Sequence, residues 1–250
     1  EITNFNIGDR VAYPMSIGAY SSERNIEASK LVKIPNNITD KNAAAIMLKG
    51  LTAYYLLHRT YRVMADDYIL VYAAAGGVGS ILCQWAKSLG ARVIGCVGSS
   101  KKAEIAKNNG CDFPILYKSE NVAECVKEIT QGQGVSVAYD SVGENTLNSS
   151  LDSLKTFGTL VSFGNSSGTI KNFDPTILAK KGSLFLTRPT LASHIATPEL
   201  LHESTKALFK IISDGTLKIE IGQTYKLENT KQAHIDLESR KTTGSTLIMP

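Results

Sequence analysis

The sequence predicts an α/β protein built on a doubly wound parallel sheet, and three observations carry that prediction. From Tyr68 onward, short apolar runs alternate regularly with segments of helical period. The runs, among them Tyr68–Tyr72 (YILVY) and Val135–Asp140 (VSVAYD), are rich in aromatic and β-branched residues, the composition of strands buried on both faces. Gly90 and Gly110 close two of the helical segments in the position of a C-terminal stop.

The elements follow in order. Strand Tyr68–Ala74 leads to helix Val78–Leu89, strand Arg92–Val97 to helix Lys101–Asn108, and strand Phe113–Leu116 to helix Asn121–Thr130. Strand Val135–Asp140, helix Asn145–Leu154, strand Thr159–Phe163 and a sixth strand, Ser183–Leu186, complete the set. Right-handed crossovers fix the order as 3-2-1-4-5-6, with ligand-carrying loops at the C-terminal ends of the strands.

Residues 1–46 read as β-rich, with short strands at Arg10–Tyr13, Gly18–Tyr20 and Leu31–Ile34 and with Pro14 and Pro35 as breakers. Thr39 is read as a cap for DKNAAAIML, and GLTAYYLLHRTY forms a second amphipathic segment. After Pro189 a helix opens at Thr197-Pro198-Glu199 and runs through Asp214. Strand Ile219–Tyr225, helix Thr230–Glu238 and strand Ser245–Ile248 end the chain, and this tail is expected to return to the N-terminal piece.

A composition of 43% hydrophobic and 20% charged residues is that of an ordinary globular chain of 250 residues. The formal charge of +4, with Lys101-Lys102 and Lys180-Lys181 as pairs rather than tracts, argues against nucleic acid as a partner. No apolar stretch approaches the ~20 residues that cross a bilayer, so no membrane span is expected. The four cysteines and four histidines lie too far apart for a zinc cluster. Disulfides are not expected either, so the reading is of a metal-free, cytoplasmic protein. The chain starts at EITNFNIGD without Met or signal-peptide character, and the expectation is that a natural start lies upstream.

Chemistry concentrates between Ala73 and Lys102. Ala73-Ala74-Ala75-Gly76-Gly77-Val78-Gly79 stands between a strand and a helix, the setting that makes a glycine pattern a dinucleotide site. The pattern is A-x-x-G-x-x-G, without the first glycine of G-x-G-x-x-G. Gly76 and Gly79 admit a pyrophosphate and let the helix pack on the strand. An NAD site would place an acid about 20 residues on, at the end of the second strand. That end reads Gly98-Ser99-Ser100-Lys101-Lys102, with hydroxyls and ammonium groups suited to a 2′-phosphate, which points to NADPH. A helix cap followed by solvated lysines is the other reading, and the two are compatible.

These residues resemble a known family. AAAGGVG, GSSKKAE, YDSVG, VSFGNSSG, TRPT and ESRKTTG resemble the quinone oxidoreductases, the zeta-crystallin-like, zinc-free branch of the medium-chain dehydrogenase/reductases. GDRVAY and GAYSSERNIEASKLVKIP resemble the later part of that superfamily's GroES-like catalytic domain. The resemblance implies a Rossmann sheet inserted in a β-rich GroES-like domain. Residues 1–46 would be part of the catalytic domain, 47–187 the dinucleotide-binding domain, and 188–250 the return to the catalytic domain. It also implies further GroES-like chain ahead of residue 1, with an Asn and a Tyr beside the nicotinamide.

Carried over residue by residue, the resemblance puts Gly76, Gly77, Val78 and Gly79 on the pyrophosphate. Gly98, Ser99 and Lys102 would hold the 2′-phosphate, with Tyr117 near the adenosine end. Ser141 and Val142 would line the adenine-ribose cleft, and Phe163, Gly164, Asn165 and Ser166 the nicotinamide half. Pro189, Thr190 and Leu191 would offer backbone groups to the carboxamide, and Tyr55 and Arg240 would face the cofactor. The implied activity is zinc-independent hydride transfer from NADPH to a quinone. A 2-alkenal or enone reductase and a non-enzymatic, NADPH-linked RNA-binding protein are the alternatives, and no general acid is named. The sixth strand, apolar and at the sheet edge, is expected to pair a homodimer through Ser183–Leu186 and cover Leu184 and Phe185.

Overall fold

The structure is a computed structural model and describes residues 3–239 and 241–250. Strands β1 (Val11–Ala12) and β2 (Val32–Lys33) pair antiparallel, and helix α1 (Asp40–Tyr55) follows. Alternation then begins with β3 (Tyr68–Tyr72), α2 (Gly77–Ser88), β4 (Arg92–Val97), α3 (Ser100–Asn108) and β5 (Phe113–Leu116). It continues through α4 (Val122–Ile129), β6 (Val135–Asp140), α5 (Leu147–Asp152), β7 (Leu154–Ser162), α6 (Thr176–Lys180) and β8 (Phe185–Thr187). Helices α7 (Leu191–His194) and α8 (Pro198–Ser213), strand β9 (Ile221–Lys226), helix α9 (Thr230–Glu238) and strand β10 (Ser245–Met249) complete the chain.

Contacts divide the chain into two units, Tyr55–Thr190 and the pair of segments Glu1–Tyr54 and Leu191–Pro250. The first unit holds a six-stranded sheet in the order β5-β4-β3-β6-β7-β8, every neighbouring pair parallel, as the alternation predicted. All six residues of β6 are buried, which is why this strand carries no polar alternation. Leu70, Ile94, Ile115, Val126, Leu151 and Leu160 belong to one apolar core that joins sheet and helices. Short side chains start the helices: the Ser99 hydroxyl accepts from the Lys102 amide, and the Asn121 carboxamide from the amides of Ala123 and Glu124.

In the second unit, β9 and β10 form a parallel pair. The Thr39 hydroxyl accepts from the Asn42 amide, as read, and the Thr197 hydroxyl caps α8 through the Leu200 amide. The two helical segments read on either side of Gly50 are one helix. Gly50 does not divide it, because Leu208 fills the space a side chain would take, with Cδ1 2.5 Å from the position of a Cβ.

Four readings are corrected. Gly18–Tyr20 is a loop, because the Arg24 guanidinium donates to the carbonyls of Ser16 (3.3 Å) and Ile17 (2.9 Å) and folds the chain back. The first sheet strand stops at Tyr72 because Ala73 turns left-handed, with φ 53°. Helix α5 ends at Asp152, and the strand after it begins at Leu154, which pairs with Val135, five residues ahead of the expected Thr159. The sixth strand is Phe185–Thr187 rather than Ser183–Leu186. Ser183 is left-handed (φ 53°), and the Leu184 amide donates to the Leu178 carbonyl, so both residues belong to the turn that leaves α6.

Candidate active site

Residues 76–79, Gly98, Ser99, Tyr117, Ser141, Val142 and residues 163–166 stand where the chain leaves the C-terminal ends of the parallel strands, the usual ligand position in such a sheet. Between β3 and α2, the left-handed Ala73 accepts from the Gly76 amide at 2.7 Å and closes the turn. Gly76 stands as the N-cap in extended backbone, and no side chain caps α2. The leading amides of the helix, at Gly77, Val78 and Gly79, have no intrahelical acceptor, which leaves a positive helix end open to an anion. A Cβ on Gly79 would overlap the Ala73 carbonyl oxygen and lie 2.9 Å from Ala74 Cα, so only a bare Cα lets helix and strand approach.

At the end of β4 come Gly98 and the exposed run Ser99, Ser100, Lys101 and Lys102. No carboxylate pairs with either lysine among the described residues. Tyr117, just beyond β5 and 51% exposed, sets its hydroxyl 3.0 Å from the position a Cβ on Gly98 would occupy. The structure therefore joins Gly98, Ser99, Lys102 and Tyr117 into one open, cationic shelf.

The loops after β6 and β7 lie against each other. Ser141 and Val142 are half-buried, and their carbonyls accept from the amides of Ser166 (3.3 Å) and Ser167 (2.8 Å). Phe163 and Gly164 are half-buried, while Asn165 and Ser166 are exposed. Tyr55, the last residue of α1, is 3% exposed, and burial pushes its hydroxyl up to about 12 against the opposing pull of Arg188. Pro189 and Thr190 follow β8 in the same unit. Leu191 starts α7 in the other unit and is buried. Arg240 lies outside the described residues.

Two residues were not singled out in the sequence. Arg188 donates to the Ser162 carbonyl at 2.9 Å and thus ties the end of β8 to the end of β7. Asp140, at the end of β6, is 1% exposed and collects hydrogen bonds from the loop that follows it. Both sit inside stretches already quoted, TRPT and YDSVG, but a charged residue at a strand end has no periodic signature of its own.

Among the described residues, no group of three or more His, Cys, Asp or Glu could hold a metal ion. No helix among them is long and apolar enough to cross a membrane.

Residues 77–205 match the family of zinc-binding dehydrogenases. A quinone oxidoreductase of Pseudomonas aeruginosa is 48% identical over 251 residues, covering all of this chain and 77% of the relative. A 2-haloacrylate reductase of a Burkholderia species is 41% identical, again over all of this chain and 76% of the relative. The crystal structure of the Escherichia coli quinone oxidoreductase complexed with NADPH matches with a TM-score of 0.96 at 48% identity, over 100% of this chain and 77% of that one. With that identity sustained from end to end, the chain belongs to the quinone oxidoreductase family of the medium-chain dehydrogenase/reductases.

Proposed function

We propose that this protein is a zinc-independent reductase that transfers hydride from NADPH to a quinone. The observation that carries the reading is the pairing of an uncapped α2 N-terminus over Gly79 with a carboxylate-free shelf of Ser99 and Lys102. The residues fit the cofactor: Gly79 leaves no room for a side chain in the cradle, and no acid stands where a 2′-phosphate would lie.

Gly76, Gly77, Val78 and Gly79 would hold the pyrophosphate with backbone amides and the helix end. Gly98, Ser99 and Lys102 would hold the 2′-phosphate, and Tyr117 would pack near the adenosine. The two readings of Ser99 agree, since a hydroxyl that accepts from the Lys102 amide still has its own proton to donate. Ser141 and Val142 would line the adenine-ribose cleft, and Phe163, Gly164, Asn165 and Ser166 the nicotinamide half. Pro189 and Thr190 would offer backbone groups to the carboxamide, and Tyr55 would face the cofactor from a dry position.

Bound NADPH supplies the hydride. A quinone is already electrophilic, so the residues need only position it, with solvent supplying the proton. The relatives named quinone oxidoreductases support the acceptor class, and the 2-haloacrylate reductase supports a second reading, reduction of a conjugated carbon–carbon bond. Steady-state turnover of NADPH with a panel of quinones and enones tests both, and activity on neither overturns the reading. Free cysteines at positions 83, 96, 111 and 125 support a reducing, cytoplasmic setting.

Cofactor choice gives a sharper test. Lys102→Ala should weaken NADPH binding about tenfold to a hundredfold, the loss of one charge-assisted contact to phosphate, and leave NADH nearly unchanged. Equal losses for the two nucleotides, in parallel titrations, would sink the 2′-phosphate assignment.

Assembly through the β8 edge belongs to the same proposal. Phe185 is 59% exposed on β8, and Phe157, left-handed and 66% exposed, stands on the adjoining strand. A second copy pairing across the two-fold axis would cover both rings and remove the open edge. Phe185→Lys should keep the fold and shift a dimer to monomer in light scattering at micromolar concentration. A wild-type chain that is monomeric under those conditions refutes the pairing.

A further inference from the structure

We propose that Asp140 is the positioning residue of the nucleotide site: its carboxylate clamps the β6 loop, and through that loop the β7 loop, in the shape that receives the cofactor. The inference rests on the NADPH reading above.

Asp140 is 1% exposed, too buried to meet a ligand itself. Its Oδ1 accepts from the Val142 amide at 2.7 Å and the Gly143 amide at 3.1 Å. Its Oδ2 accepts from the hydroxyls of Thr146 and Ser150, each at 2.7 Å. One oxygen thus serves the backbone of the loop and the other serves the helix that follows it. Four donors match the acceptor capacity of a carboxylate, so the group is satisfied only while loop and helix stay in register. A loop that moved away would strand the buried carboxylate at one oxygen, a costly state in a dry site.

The clamp extends to the next loop. The Phe163 amide donates to the Asp140 carbonyl at 2.8 Å, and the Ser167 hydroxyl donates to the Val142 carbonyl at 2.9 Å. The Glu144 amide donates to the Gly168 carbonyl at 3.3 Å and the Asn145 amide to the Ser167 hydroxyl at 3.1 Å. Gly164 packs so closely on Ser141 that a Cβ would overlap the Ser141 carbonyl oxygen and lie 2.9 Å from its carbonyl carbon. Ser141, Val142, Gly164 and Ser166 therefore have no independent positions: each is set relative to a backbone that Asp140 holds.

Asp140→Asn keeps the shape of the side chain and one acceptor oxygen, so the variant is expected to fold. Its amide nitrogen must face either the two backbone amides or the two hydroxyls, and in both cases the bonds to Val142 and Gly143 weaken or disappear. Hydrogen exchange without nucleotide should show the amides of Val142, Gly143, Ser166 and Ser167 losing about tenfold or more of their protection. NADPH titration should show a Kd raised by a similar factor. Leu154→Ala is the control: Leu154 lies at the opposite end of the nine-residue β7, in the same core, and should lower the Tm while leaving the NADPH Kd alone. The clamp is overturned if exchange at the two loops is unchanged in Asp140→Asn, or if Leu154→Ala loses as much NADPH affinity for the same loss of Tm. It is overturned equally if the loops loosen and the Kd holds. Failure of the wild-type chain to bind NADPH counts against the cofactor reading instead, and the nucleotide-free exchange experiment separates the two failures.

Discussion

Gly79→Ala should yield a less stable chain that no longer binds a dinucleotide. The new methyl group would meet only backbone: the Ala73 carbonyl oxygen, Ala74 Cα at 2.9 Å and the Ala73 carbonyl carbon at 3.0 Å. None of these atoms can swing aside as the tip of a side chain would. Ala73 is already left-handed at φ 53°, and the turn is tied by the Gly76 amide, so local backbone adjustment is costly. Helix α2 must instead slide along β3, whose residues Ile69, Leu70 and Val71 are fully buried. Ordinarily a glycine-to-alanine change inside a helix gains about 0.5–1 kcal/mol from backbone entropy. Overpacking costs about 1–3 kcal/mol, and more where nothing can yield, so the steric effect wins. At about 2–4 °C per kcal/mol for a chain of this size, thermal unfolding will register the loss. The same displacement moves the amides of Gly77, Val78 and Gly79 that would face the pyrophosphate, so NADPH titration should show no saturable binding. An alanine variant with wild-type Tm and wild-type NADPH affinity would show that the cradle is not where the nucleotide sits.

Sheet and turn were legible for a physical reason. A parallel strand buried on both faces is apolar through most of its length, so the runs ILVY, VIGCV and VAY within β3, β4 and β6 announce themselves. The absence of an acid after β4 is a property of the sequence itself and needs no coordinates. Features set by tertiary contact escaped. Arg24 folds Gly18–Tyr20 into a loop by reaching back to two carbonyls, and nothing in the local pattern of GAY reveals that. Gly50 looks like a stop until Leu208, far along the chain, is seen to fill its place. Asp140 and Arg188 look like ordinary charged residues at strand ends, and their work is done through hydrogen bonds to backbone groups that sequence does not show.

Leu184→Lys should destabilise the fold severely, whereas Phe185→Lys, one residue along, should not. In KKGSLFLTRP both residues look equally suited to an exposed edge. The left-handed turn at Ser183 decides between them by rotating Leu184 inward, where it is 6% exposed, and leaving Phe185 59% exposed. Leu184 joins the core that contains Leu154, Leu160 and Leu151, and none of these can accept a hydrogen bond through its side chain. An ammonium group there would have no partner, and an uncompensated buried charge costs about 3–5 kcal/mol. The flexible stem of lysine can carry the charge toward water and recover part of that cost, but it then vacates the space Leu184 fills, and the cavity adds its own penalty. Set against a total of about 5–15 kcal/mol for a folded domain, the loss brings the chain to the edge of unfolding. Urea titration of the two variants at submicromolar protein, where association contributes least, should give a midpoint far below wild type for Leu184→Lys and close to it for Phe185→Lys. The reverse order would mean that Phe185 faces the core and Leu184 the solvent, and the inward rotation at Ser183 would be wrong.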